Sequence, residues 1–172
     1  MRNDERVELR ARTDDDEAVL YKIAADLDTW EERSPASPAP LTLAAYRRAH
    51  PADVDDRSVE FMITVDGGAV GQCTLFHEDP LARHAEVGIA LLPEARGQGY
   101  GTAALRLSVE FGFTRRNLRR LHLCVLAGNA RAIAAYRKAG FIEEGRLRQH
   151  VWIRGHYDDE VRMGLLRTEW RS

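Results

Sequence analysis

The stretch Glu86–Leu105, EVGIALLPEARGQGYGTAAL, decides how the rest of the chain is read. Val87, Ile89, Ala90, Leu91 and Leu92 make an apolar run long enough for one buried strand. Pro93 ends that strand, because proline has no N–H to give a neighbour. Arg96-Gly97-Gln98-Gly99-Tyr100-Gly101 then sets three glycines at alternate positions, directly before the helix-forming run Thr102-Ala103-Ala104-Leu105. With little side chain to cover them, the backbone N–H groups from Arg96 to Gly101 stand open where the dipole of the coming helix is positive. The stretch predicts strand, turn and helix, with a phosphate-bearing ligand at the helix start.

Downstream, the helix is expected to run to about Arg115, with Ala104, Leu105, Ser108, Val109 and Phe111 facing a core. Leu121–Leu126 reads as a strand inside a sheet. Asn129 stands at a capping position before a second helix, Ala130–Ala139, which Gly140 closes. Phe141 opens a further strand, followed by a turn around Arg154-Gly155-His156 and a last strand, Glu160–Leu166. Upstream, Val7–Arg10 alternates as a first strand. Thr13 and the acids Asp14, Asp15 and Asp16 start a helix expected to end near Asp28-Thr29-Trp30. The prolines of residues 31–40 predict a surface loop, after which Thr42 caps a short helix from Leu43 to about Arg48. Ser58–Val65 and Ala69–Phe76, joined by Asp66-Gly67-Gly68, read as a β-hairpin. Strand-helix alternation in the second half asks for parallel neighbours, and the hairpins ask for antiparallel ones. The expectation is a mixed α/β fold in one domain spanning residues 1–172.

Composition narrows the classes of function. A chain of 172 residues with a formal charge of −2 gives no global pull towards nucleic acid or membrane. No apolar run reaches transmembrane length, and the N-terminus MRNDERVELRAR is charged rather than signal-like. Cys73 and Cys124 both lie in apolar strands, as buried thiols suited to a reducing cytoplasm. The six histidines show no ligand spacing, so no metal is expected. Arg115-Arg116-Asn117-Leu118-Arg119-Arg120 ends a helix, where cations suit the dipole, and it lacks the interleaved aromatics of a nucleic-acid surface.

Two phosphate-binding rivals fail on named residues. A dinucleotide fingerprint wants glycine where Thr102 stands and an acid at the end of the next strand, which here finishes in Ala127-Gly128. A P-loop wants lysine before Thr102, and that position is Gly101. The stretch instead resembles the acyl-CoA loop of the Gcn5-related N-acetyltransferase (GNAT) family, Arg/Gln-x-x-Gly-x-Gly/Ala, with Arg96, Gly99 and Gly101 in the fixed positions. Asn129–Phe141 resembles the family's later helix motif, with Asn129, Tyr136 and Gly140-Phe141 in register. Glu143–Arg148, Gly155-x-Tyr157-x-Asp159 and Met163-Gly164 resemble the branch of ribosomal-protein N-terminal and spermidine acetyltransferases. The likeness covers roughly Val59–Leu166 and departs at Ala95, where many relatives carry an aromatic.

The resemblance implies a mixed, mostly antiparallel sheet with one splayed parallel pair, flanked by helices. It also implies acetyl-CoA as the donor and direct attack by a primary amine. Arg96, Gly97, Gln98, Gly99, Tyr100, Gly101 and Thr102 would hold the pyrophosphate, while a backbone N–H at Leu91 or Leu92 would polarise the acetyl carbonyl. Asn129, Ala132 and Lys138 would contact the donor from the later helix, with Arg131 and Arg137 beside them on a face that solvent also explains. Tyr136 would protonate the departing thiolate and Glu86 would take the proton of the ammonium, directly or through a water. Trp30, Glu31 and Glu32 would receive a cationic acceptor. The acceptor is then a small-molecule amine, such as a polyamine or an amino-bearing antibiotic, or else a protein N-terminus. A CoA-binding sensor without turnover is the reading from another class. A homodimer is expected from the same branch.

Overall fold

A computed structural model describes residues 6–29, 39–49 and 58–171 of the chain. Seven strands make one sheet: β1 (Val7–Arg10), β2 (Val59–Val65), β3 (Gly68–Asp79), β4 (His84–Leu91), β5 (Arg120–Leu126), β6 (Ile142–Ile153) and β7 (His156–Leu166). Their order is β1-β2-β3-β4-β5-β7-β6, and every neighbouring pair is antiparallel except β4 with β5. The helices are α1 (Glu17–Ala25), α2 (Leu43–Ala49), α3 (Tyr100–Thr114) and α4 (Ala130–Lys138). This is the mixed α/β architecture expected, and the structure places its parallel pair at β4 and β5.

The pleat sorts side chains between the two faces of the sheet. Ile63, Cys73, Leu75, Val87, Leu121, Leu123 and Met163 share a core with Leu105, Val109 and Phe113 of α3. Met62, on the alternate parity, packs instead with Leu20 and Ala24 of α1 and Tyr46 of α2. Asp66 (φ 50°) and Gly67 (φ 82°) turn β2 into β3 with two left-handed residues, as a tight hairpin requires.

Several boundaries differ from expectation for local reasons. The chain leaves α1 at Asp26, whose backbone goes extended (ψ 109°), and residues 27–29 form a separate helical turn. The Asp26 carboxylate accepts the Thr29 N–H (3.2 Å), so this acid starts the second turn rather than extending the first. Asp14–Asp16 form a 3-10 turn ahead of α1, where Asp16 accepts the Thr13 N–H (2.8 Å). The last hairpin is longer than Glu160–Leu166 suggested, since β7 begins at His156 directly after the turn at Arg154 and Gly155. The proline-rich loop lies mostly outside the described residues.

Parallel pairing sets up the site. The β4–β5 ladder runs only from His84–Glu86 against Arg120–His122. Beyond it the strands diverge, because β4 heads for Pro93 and the glycine loop while β5 stays zipped to β7 along its whole length.

Candidate active site

The divergence of β4 from β5 opens a cavity of about 380 Å³. Its first wall is β4 itself, from Glu86 to Leu91. Leu92 N–H donates to the Val70 carbonyl (2.9 Å), so it is not open to an acetyl oxygen, and Leu92 does not line the cavity. Of the two alternatives expected at this point, Leu92 is thereby set aside. Rungs of an antiparallel ladder alternate, so Leu91, opposite Gly71, turns its own N–H and carbonyl away from β3 and into the gap.

The glycine loop forms the rim. Gly97, Gly99, Gly101 and Thr102 all line the cavity. Gly97 (φ 76°) and Gly99 (φ 87°) are left-handed, and Gly99 is the cap of α3. The Ala103 N–H donates to the Gly99 carbonyl (3.1 Å), so the N–H groups of Tyr100, Gly101 and Thr102 precede this first helical bond. Gln98 and Tyr100 do not line the cavity. The Gln98 amide donates to the Glu94 carbonyl (3.0 Å), and the Tyr100 ring is buried in the core. The buried Tyr100 can meet a ligand only through its backbone.

Arg96 lines the cavity with its side chain turned towards the end of β4. Its N–H donates to the Pro93 carbonyl (3.2 Å). Its Nε donates to the Leu91 carbonyl (3.1 Å) and its Nη2 donates to the Thr29 hydroxyl. Its N–H, Nε and Nη2 are thus engaged within the protein, at a residue that lines the cavity.

Helix α4 forms the facing wall. The Asn129 side chain accepts the Ala132 N–H (3.1 Å), fixing the start of the helix. Asn129, Arg131, Ala132, Tyr136 and Lys138 line the cavity, whereas Arg137 turns out to Glu143 (3.4 Å). Tyr136 is buried and lies edge-on to Phe141, ring centroids 6.1 Å apart. Burial is the main cause that pushes its phenol pKa well up, with Cys73 and Cys124 adding to the rise. The phenol is therefore a proton donor at any physiological pH.

Glu86 opens from the other end. It lines the cavity, its Oε2 lies 3.3 Å from His77 Nδ1, and it stands beside His122 in the β4–β5 register. Burial lowers the pKa of His122, so that ring is held neutral next to the carboxylate. One cavity thus brings together a carboxylate, a buried phenol, a turned-in backbone N–H and a helix N-terminus. Trp30, Glu31 and Glu32 lie outside the described residues.

Among the lining residues that the sequence reading did not place at the site are Thr29, Phe76, Gly88 and Cys124. A glycine inside an apolar strand was the one available signal, since it marks close approach. A Cβ at Gly88 would come within 3.0 Å of the Phe76 ring. Cys124 is free, and burial pushes its thiol up to about 11, which leaves it protonated. Among the described residues no helix is long and apolar enough to cross a membrane.

Comparison with known proteins agrees with this geometry. A family model described as "Acetyltransferase (GNAT) domain" matches residues 6–142. Spermidine N(1)-acetyltransferase of Escherichia coli (strain K12) is 35% identical over 116 residues, 67% of this chain and 62% of that protein. "Putative ribosomal N-acetyltransferase YdaF" of Bacillus subtilis (strain 168) is 33% identical over 118 residues, 69% of this chain and 64% of that protein. The chain thus spans less than two thirds of the length of these curated relatives. The crystal structure of spermidine N-acetyltransferase from Vibrio cholerae in complex with CoA and spermine matches with a TM-score of 0.83. That match covers 96% of this chain and 98% of the other at 23% identity, a likeness of fold. With the family model spanning most of its length and the loop and helix motifs lining one cavity, the chain belongs to the GNAT acetyltransferase family.

Proposed function

We propose that the protein transfers the acetyl group of acetyl-CoA to the primary amine of a small molecule, a polyamine or an amino-bearing antibiotic, by direct attack in a ternary complex. The observation that carries this reading is that Glu86 and Tyr136 open into one cavity whose rim is the α3 N-terminus. The N–H groups of Tyr100, Gly101 and Thr102 hold the pyrophosphate, and Lys138 adds a cation from α4. Leu91 N–H receives the oxygen of the acetyl carbonyl as charge builds on it. Glu86 takes the ammonium proton, since an alkylammonium of pKa about 10 is no nucleophile. The nitrogen lone pair forms the new amide bond, and the C–S bond breaks. Tyr136 then gives its proton to the leaving sulfur, and the second proton shed by the acylated nitrogen passes to the phenolate so formed, restoring Tyr136. Burial raises the proton affinity of that sulfur as it raises the phenol's, so the two stay matched. Cys124 faces the same cavity as a neutral thiol, a poor candidate for an acyl-enzyme.

The ribosomal reading, acetylation of a protein N-terminus, draws on the 33% identity to the Bacillus protein. A sensor without turnover would have no use for an acid and a base facing one cavity. We place the single domain over residues 1–172, with its acyl-CoA core at about 59–166, as a cytoplasmic homodimer. The free thiols of Cys73 and Cys124 support that compartment. A panel of polyamines, aminoglycosides and N-terminal peptides, read by release of free CoA thiol, decides between the acceptors. Turnover with peptides alone would overturn the small-molecule reading, and turnover with none would favour the sensor.

A further inference from the structure

Arg96 fills the fixed position of the acyl-CoA loop, yet its side chain turns away from the glycine N–H groups and towards the end of β4. The splay of β4 leaves the Leu91 carbonyl facing the gap without a β5 rung. Arg96 Nε supplies the missing donor at 3.1 Å. The other end of the guanidinium donates to the Thr29 hydroxyl and lies 3.7 Å from Asp26. Thr29 is 4% exposed, and both its hydroxyl and its N–H donate to Asp26. The donors therefore run in one direction, from Arg96 to Thr29 to Asp26, and each bond polarises the next. The charge is neutralised by Asp26 in a site where the Arg96 side chain is 18% exposed. Arg96 and Thr29 both line the cavity.

We propose that Arg96 is a positioning residue and not a phosphate ligand. Its planar fork fastens the helical turn at residues 27–29 to the last residue of β4. That fixes the distance between the Thr29 wall of the cavity and the peptide of Leu91, on which acetyl polarisation depends. Lysine is no substitute, because a single ammonium lacks the two arms that reach Leu91 and Thr29 together. The kinetic part of this inference rests on the N-acetyltransferase reading; the structural part does not.

The test compares Arg96→Gln, Arg96→Lys, Thr29→Val and the Arg96→Gln/Thr29→Val double variant. CoA affinity is measured by calorimetry, amide hydrogen exchange is followed over residues 20–29, and acetyl transfer is measured to whichever amine the wild type accepts. A fastener predicts CoA affinity within about threefold of wild type for all four, with exchange over 20–29 faster by about tenfold or more. It predicts acceptor kcat/KM reduced about tenfold or more, and a double variant no worse than Arg96→Gln, because both changes break one chain of bonds. Arg96→Lys should behave like Arg96→Gln. CoA affinity falling tenfold with unchanged exchange would return Arg96 to the phosphates, and wild-type exchange in Arg96→Gln would overturn the proposal outright. Thr29→Val keeps the test decisive if Arg96→Gln folds poorly. Should the wild type acetylate no amine, the functional reading fails while the exchange data still judge the fastener.

Discussion

Tyr136→Phe removes one hydroxyl from a ring that otherwise stays packed on Phe141. If the phenol protonates the departing thiolate, kcat should fall about 100-fold or more while CoA affinity holds, which burst and binding measurements separate. Glu86→Gln tests the other proton. Its deficit should be about 100-fold near neutral pH and should shrink as pH approaches the pKa of the amine, where the acceptor deprotonates unaided. A deficit constant with pH would remove Glu86 from the role of base. That Tyr136 and Glu86 would face one cavity was legible because the strand and helix patterns fix where the backbone runs. Arg96 shows the limit of that reasoning. Its position in the loop was right, but a long side chain chooses among acceptors that only the folded chain brings near, here Leu91 and Thr29, one of them 67 residues away. Leu92 shows a subtler limit. Which of two adjacent N–H groups faces a gap depends on strand register, and a one-residue shift exchanges their directions.

The elements that matter most are β3 and β4 at the point where β4 leaves β5. Gly71 stands opposite Leu91, and a Cβ there would sit 2.4 Å from the Ala90 carbonyl oxygen and 2.6 Å from Leu91 Cδ2. Gly71→Ala must therefore push β4 aside. We expect it to cost about 1–3 kcal/mol in a urea melt and to lower acetyl transfer by moving Leu91. Gly101→Val is the complementary case. Its Cβ would meet Leu91 and Ile89 side chains at 3.4 and 3.8 Å, ordinary contact, so the fold should tolerate the change. The added methyls enter the cavity rim, and CoA affinity should drop about tenfold or more with little change in melting. Strand and helix identities followed well from periodicity and caps, as Asn129, Thr42 and Gly140 illustrate. Ends were less secure. Nothing in the local pattern distinguishes Asp26 as the end of one helix from Asp26 as the acid that starts the next turn.

At the scale of the molecule, an ion pair joins the end of β1 to the turn that starts α1. Arg10 donates twice to Asp16, at 2.7 and 2.8 Å, and the acid is 2% exposed. The Arg10 guanidinium, with the N–H and hydroxyl of Thr13, holds the Asp16 carboxyl down to about 2 from the usual 3.8. A carboxyl depressed in the folded state stabilises it fully above the unfolded value and loses that contribution as pH falls through about 2. Wild type should exceed Asp16→Asn by about 2 kcal/mol in urea melts at neutral pH, a gap that narrows below about pH 4. An equal gap at pH 2 would contradict the assignment. The order of the sheet was less legible than its strands. Placing β5 beside β4, with β7 between β5 and β6, depends on how far the α3 and α4 crossovers carry the chain, and no local pattern records that.

The open centre of the sheet has a further consequence, in mass-action terms. A ligand that fills the gap binds the folded chain and has no equivalent site in the unfolded one, so its concentration becomes a variable of stability. With CoA at about 100 times its dissociation constant, unfolding should cost about 2.7 kcal/mol more. For a chain of this length that amounts to roughly 5–10 °C in the melting temperature. The midpoint should climb with the logarithm of CoA concentration, and Gly101→Val should flatten the slope. Thermal scans across a donor titration would thus report site occupancy without any acceptor being known.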